Sequence, residues 1–151
     1  MDNEQKKSRL SEYVTLRIEA ENMEERLARL RSEEKIPPMR MGDGSGHTGG
    51  NGDRMERAII RRMEYEERNG PKIKAARERM QAIEDAIAAM RDPLERSVLR
   101  LRYLESDDAR LTKWHDVAVG IFGDDDEKDI RAVHRLHNSA LNNIKFEEEK
   151  P

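Results

Sequence analysis

"RDPLERSVLRLRYLE", residues 91–105, divides the chain. Asp92 can cap a helix, Pro93 suits its first helical position, and Glu95 stands three residues after the cap, the spacing of a capping box. The helix opened in this way is denser in apolar residues than anything before it. A domain boundary is therefore expected here, with residues 1–90 as one piece and residues 91–151 as another.

Upstream, Tyr13, Leu16, Ala20, Met23, Leu27 and Leu30 are separated by three and four residues alternately. That heptad seam predicts an amphipathic helix over roughly residues 5–35. "IPPMRMGDGSGHTGGNGD" (36–53) ends it, because Pro37 and Pro38 cannot continue the hydrogen-bond ladder and six glycines between 42 and 52 make a flexible tether. No "GK[ST]" follows and no apolar strand precedes this loop, so it does not read as a phosphate cradle. Met55, Ile59, Ile60 and Met63 mark a second helix, which "NGP" (69–71) is expected to end. A third seam follows in Ile73, Ala76, Met80, Ile83, Ile87 and Met90. Seams joined by a loop predict an antiparallel, coiled-coil-like hairpin, with the methionines as packing rather than a cofactor box.

Composition agrees. Of 151 residues, 40% are charged and 35% hydrophobic, and 29 Lys plus Arg nearly balance 32 Asp plus Glu. Mixed charge with regular apolar spacing fits an all-α protein, whereas disorder at this hydrophobicity needs a higher net charge than −3. The absence of cysteine excludes disulfides, iron–sulfur clusters and cysteine-ligated zinc. No stretch reads as a signal peptide or a membrane span, so a soluble, intracellular protein without membrane partners is expected.

Downstream of the boundary, Trp114, Val117, Ala118 and Ile121 form one short apolar face. "GDDDEKD" (123–129) reads as a turn, and a longer helix follows with Ile130, Val133, Leu136, Ala140, Leu141 and Ile144 inward. Short helix, glycine-bearing turn and longer helix make a helix-turn-helix pattern. The stretch "IRAVHRLHNSALNNIKF" (130–146) contains no acidic residue, the longest such run in the chain. A helix lying in a DNA groove is close to many phosphates, which carboxylates would repel. Arginine and asparagine, conversely, match guanine and adenine edges. The expected DNA-contacting residues are Lys128, Arg131, His134, Arg135, Asn138, Asn142 and Lys145, with the reading helix spanning about 128–145.

"LERSVLRLRYLE", "WHDVAVGIFGD" and "VHRLHNSAL" together resemble the fourth region of sigma-70 factors. The chain is similar to the ArpU/RinA-type transcriptional regulators of phages and prophages, which likewise place a helical hairpin with a Gly- and Pro-containing loop ahead of an "LRLRY" helix. The resemblance implies Trp114–Phe122 as supporting helix, Arg131–Asn143 as recognition helix, double-stranded DNA as ligand and the bacterial host cytoplasm as location. It also implies that the hairpin self-associates or contacts host RNA polymerase. "GDDDEKD" is several residues longer than the tight turn of sigma modules.

Other readings are weaker. His134 and His137, with His115, could suggest a metal site, but no fourth ligand is evident, and no metal or cofactor is expected. "DDDE" (124–127) lacks the alternation and glycine of a calcium loop and reads as a solvated, helix-capping turn. Trp114 shares its face with Val117, Ala118 and Ile121, which makes it core rather than a stacking platform. No nucleophile–base or carboxylate pair can be placed in a common cleft, so the chain is not expected to be an enzyme. Two alternatives to a regulator are a small-terminase-like DNA-packaging recognition subunit and a coiled-coil adaptor that binds protein alone.

Overall fold

The computed structural model describes residues 1–35 and 50–147. These are all-helical: α1 (Asn3–Lys35), α2 (Gly50–Ala88), α3 (Pro93–Leu99), a π-helical turn (Arg100–Leu104), α4 (Trp114–Phe122) and α5 (Glu127–Asn143). Most of the expected Gly-rich loop lies outside the described residues, and its last four positions, 50–53, form the first turn of α2. The chain divides into two compact units, Glu19–Ala75 and Met1–Ile18 with Ala76–Pro151. The C-terminal helices thus share a unit with the start of α1 and the end of α2.

In the unit Glu19–Ala75, α1 and α2 run antiparallel. Tyr65 donates its hydroxyl to the Met23 carbonyl at 3.4 Å, while Arg62 bonds Glu34 at 2.8 Å and Glu66 at 3.0 Å. Glu66 also accepts from Arg31 at 2.9 Å. Two carboxylates raise Arg62 above its ordinary value, and the facing guanidinium of Arg62 lowers Glu66. Leu27, Leu30 and Ala58 are buried beside this network.

α2 is one helix, not two. It continues through "NGP", with Pro71 inside it. The seam that packs on α1 explains why. Ala58, Arg62, Tyr65, Asn69, Ile73, Ala76, Met80, Ile83 and Ile87 are all buried or half-buried and follow one another at three or four residues. The stripe crosses 69–71 without a change of phase, and Pro71 stands exposed on the other side. A proline's dihedral is itself helical, so the loss is confined to one hydrogen bond and a local clash. The Asn69 side chain donates through Nδ2 to the Tyr65 carbonyl at 3.1 Å, inside the helix rather than at an end. Met55, Ile59, Ile60 and Met63, expected as the seam, are exposed instead.

In the other unit the hairpin remains antiparallel, with Arg79 on Glu12 at 2.7 Å and the Tyr13 hydroxyl on Glu84 at 2.9 Å. Here the seam is aliphatic: Leu10, Ile83 and Ile87 are fully buried. α3 begins where the sequence places it, with the Asp92 carboxylate accepting from the amides of Leu94 (2.8 Å) and Glu95 (3.3 Å). The helix widens at its end, where the Glu105 amide bonds the Arg100 carbonyl at 2.9 Å, five residues back. Tyr103 is buried in this wide turn. Val98, Val117, Ala118 and Val133 make the centre at which α3, α4 and α5 meet, and Leu101, Trp114, Ile121, Ile130 and Leu136 pack around it. Gly120 allows the close approach of α4: a Cβ there would lie 2.9 Å from a Leu101 methyl.

Candidate nucleic-acid interface

α4 stops at Gly123, whose φ of 79° closes the last turn in a left-handed conformation that side chains disfavour. α5 starts at once after Asp126, whose carboxylate accepts from the Asp129 amide at 2.9 Å. The connection is therefore Gly123–Asp126. Glu127, Lys128 and Asp129, expected in the turn, belong to the first turn of α5, where acids meet the positive end of the helix dipole. The apparent excess length over a tight turn is taken up by helix.

α5 buries Val133, His137, Ala140 and Leu141. Its opposite side carries the residues singled out in the sequence, and Lys128, Arg131, His134, Arg135, Asn138, Asn142 and Lys145 are all exposed. They are not equivalent. Arg131, Arg135 and Asn138 follow one another at steps of four and three on one line, and Arg131 Nε bonds its own helix at the Glu127 carbonyl, 3.4 Å away. His134 packs against Trp114 at a tilt of 51°, with ring centroids 4.6 Å apart. Asn142 accepts from the Asn3 side chain of α1 at 2.8 Å. Lys145 lies past the end of α5: Ile144 turns to extended backbone (ψ 138°) and buries its side chain fully. Lys145 then lines a groove with Ala86, Ala89 and Arg91 rather than the row on the helix.

Electrostatics grade along α5. Asp124, Asp126 and Asp129 bring carboxylate oxygens within 4.8 Å of one another at its start. Partial burial, and then the neighbouring Asp126 and Asp124, push Asp129 above the usual carboxylate range. From residue 130 to residue 146 the charge is positive or absent. An anionic ligand is thus disfavoured at the first turn and favoured from Arg131 on.

Three supports of this helix are not evident in the apolar pattern. The Glu95 carboxylate, only 4% exposed, is turned away from its own cap and accepts from Ser139 Oγ at 2.5 Å and from Asn143 Nδ2 at 3.0 Å on both oxygens. It is a clamp between α3 and α5, not the second half of a capping box. A sequence signal was present: Glu95 precedes Val98 and Leu99 by three and four residues, which puts it on the inward face, whereas Leu94 is 48% exposed. His137 is buried, bonds the Tyr103 hydroxyl through Nε2 at 2.7 Å and meets the Trp114 ring edge-on at 4.7 Å. Burial first, then the positive charges of Lys7, Arg102 and His134, hold it down to about 4, so it is neutral at pH 7. Arg102 covers the other ring contacts of Trp114, its guanidinium carbon 4.2 Å from the ring centre.

The third support is non-local. Lys6 Nζ donates to the Leu141 carbonyl at 2.8 Å, placing a cation at the negative end of the α5 dipole. Of the three histidines considered as ligands, His134 and His137 pack on Trp114, while His115 Nδ1 lies 3.6 Å from an Asp125 oxygen. Among the described residues no helix is long and apolar enough to cross a membrane. Comparison of the chain with family models, curated proteins and solved structures finds no match.

Proposed function

We propose that the chain is a sequence-specific DNA-binding transcriptional regulator of phage type, in which α4 and α5 act as a helix-turn-helix and the exposed side of α5 reads duplex DNA. The observation that carries the reading is the pairing of two opposite faces on one helix. The inner face is fixed by aliphatic packing, Glu95 and the Tyr103–His137 bond. The outer face presents Arg131, Arg135 and Asn138 in line and exposed, with Glu127, one turn before Arg131, as the only acid of α5 on that line. Rigid supports behind exposed guanidinium and amide groups are what groove recognition needs, since donors must be held in place to distinguish bases. Lys128 and His134 flank the row as phosphate contacts, and Lys145 is a more distant one.

Selection of bound duplexes from a random-sequence pool by the full chain tests this. A defined motif should emerge, and Arg131→Ala or Arg135→Ala should blur it and weaken binding by about 1–3 kcal/mol, the worth of a bidentate base contact. Retention of no duplex even at low salt would refute the reading and leave a protein-binding adaptor. Recovery of a ring-shaped oligomer of many copies would favour the packaging subunit instead.

A further inference from the structure

Within Glu19–Ala75, α2 carries an apolar surface that its own hairpin leaves uncovered. Met55, Ile59, Ile60 and Met63 are 47%, 36%, 45% and 55% exposed. At positions i, i+4, i+5 and i+8 they form one stripe along the helix. The side facing α1 is a different one, made by Ala58, Arg62 and Tyr65. Contiguous exposed aliphatic and methionine side chains on one helix are unfavourable in water and mark an interaction surface. Methionine adapts its shape to whatever packs on it.

Charge decides what fits. Glu56 and Glu67 stand among the apolar side chains, and Asp53 and Glu64 run along one border of the stripe; all four are exposed, and no ion pair engages their carboxylates among the described residues. The other border is Arg62 and Glu66, whose charges are already satisfied by Glu34, Arg31 and each other. Two copies pairing antiparallel through this stripe would set the acidic border against itself. Two copies in parallel would set it against a border with no free cation. A second copy is thus a poor occupant, and lysines or arginines flanking an apolar helix face are the complement.

We propose that the Met55–Met63 stripe of α2 is a docking surface for a partner protein that presents a basic amphipathic helix. The proposal is independent of DNA reading by α5, since no residue is shared. Its test is fluorescence anisotropy with the full chain and a labelled peptide of about 18 residues, leucine at helical spacing and lysine elsewhere. Saturable binding is expected, weakened about tenfold or more both by Ile59→Ser with Ile60→Ser and by Glu56→Lys with Glu67→Lys. A peptide of the same pattern with glutamate for lysine should not bind. All four substitutions are at exposed positions, and helicity measured alongside confirms folding. Equal binding of both peptides, or affinity unchanged in either double variant, would overturn the proposal. So would a dimer in sedimentation that Ile59→Ser with Ile60→Ser dissolves, because a second copy would then occupy the stripe.

Discussion

Glu95→Ala is the most incisive perturbation of the module, because Glu95 is buried between α3 and α5 while the leucine beside it is exposed. The Glu95 carboxylate is 4% exposed and accepts from Ser139 and from Asn143. A net hydrogen bond to a charged group contributes about 1.5–3 kcal/mol. Asn143 is exposed and can turn to water, whereas Ser139 is half-buried and loses its partner. Relief of the carboxylate's own desolvation offsets part of the loss. The balance is a destabilisation of about 2–3 kcal/mol, or roughly 5–10 °C in melting temperature for a chain of this size. Glu95→Gln keeps the shape and one acceptor and should cost about half as much. Leu94→Ala, at a side chain 48% exposed, should cost under about 0.5 kcal/mol. Urea unfolding followed by far-ultraviolet circular dichroism measures all three. Leu94→Ala proving costlier than Glu95→Ala would mean that α3 is rotated from the orientation described and that the clamp on α5 does not exist.

Pro71→Ala should stabilise the chain by about 1–3 kcal/mol, because it restores an amide inside a continuous helix; no gain in urea midpoint would indicate a helix end at 69–71. His137 links stability to pH. Its folded value of about 4 lies below the 6.5 of an unfolded histidine, so the unfolded state binds more protons between these values. The stability it contributes is complete above about pH 6.5 and is lost as pH falls towards 4, by about 2–3 kcal/mol. Urea midpoints at pH 7 and pH 5 check this, and His137→Phe should flatten the difference. Gly123→Ala, at φ 79° with open space around the added methyl, should cost about 1 kcal/mol through backbone strain alone. An unchanged melting temperature would refute the left-handed cap.

The local signals in the sequence translate directly into structure. Asp92 and Asp126 cap helices because a carboxylate one position ahead of a helical run has free amides to accept from, and Val117, Val133 and Ala140 are buried where their spacing puts them. What the pattern misses is polar material used as packing. Arg62, Tyr65 and Asn69 carry the α2 seam across a region where aliphatic residues stand on another side, so apolar periodicity breaks the helix at Pro71 and assigns Met55 and Ile60 to the interior. At Glu95 the spacing to Val98 and Leu99 gives the inward position but not the partners, Ser139 and Asn143. In the candidate interface, the outward position of Arg131, Arg135 and Asn138 is legible from period alone. The ties of Asn142 to Asn3 and of Leu141 to Lys6 are not, since a pairing across 139 residues leaves no trace in local spacing.

That long-range tie sets an order of events during synthesis. Glu19–Ala75 is continuous in the chain and can close its ion-pair network as soon as it has emerged. Met1–Ile18 has its aliphatic partners in the second half of the sequence, and Lys6 meets the Leu141 carbonyl only when α5 is complete. Leu10 can therefore close on Ile83 and Ile87 once α2 is made, whereas the first turn of α1 waits for α5. A nascent chain interrupted before α5 lacks the Asn142 and Leu141 partners of Asn3 and Lys6, so that completion of α5 and docking of the first turn of α1 are one folding event.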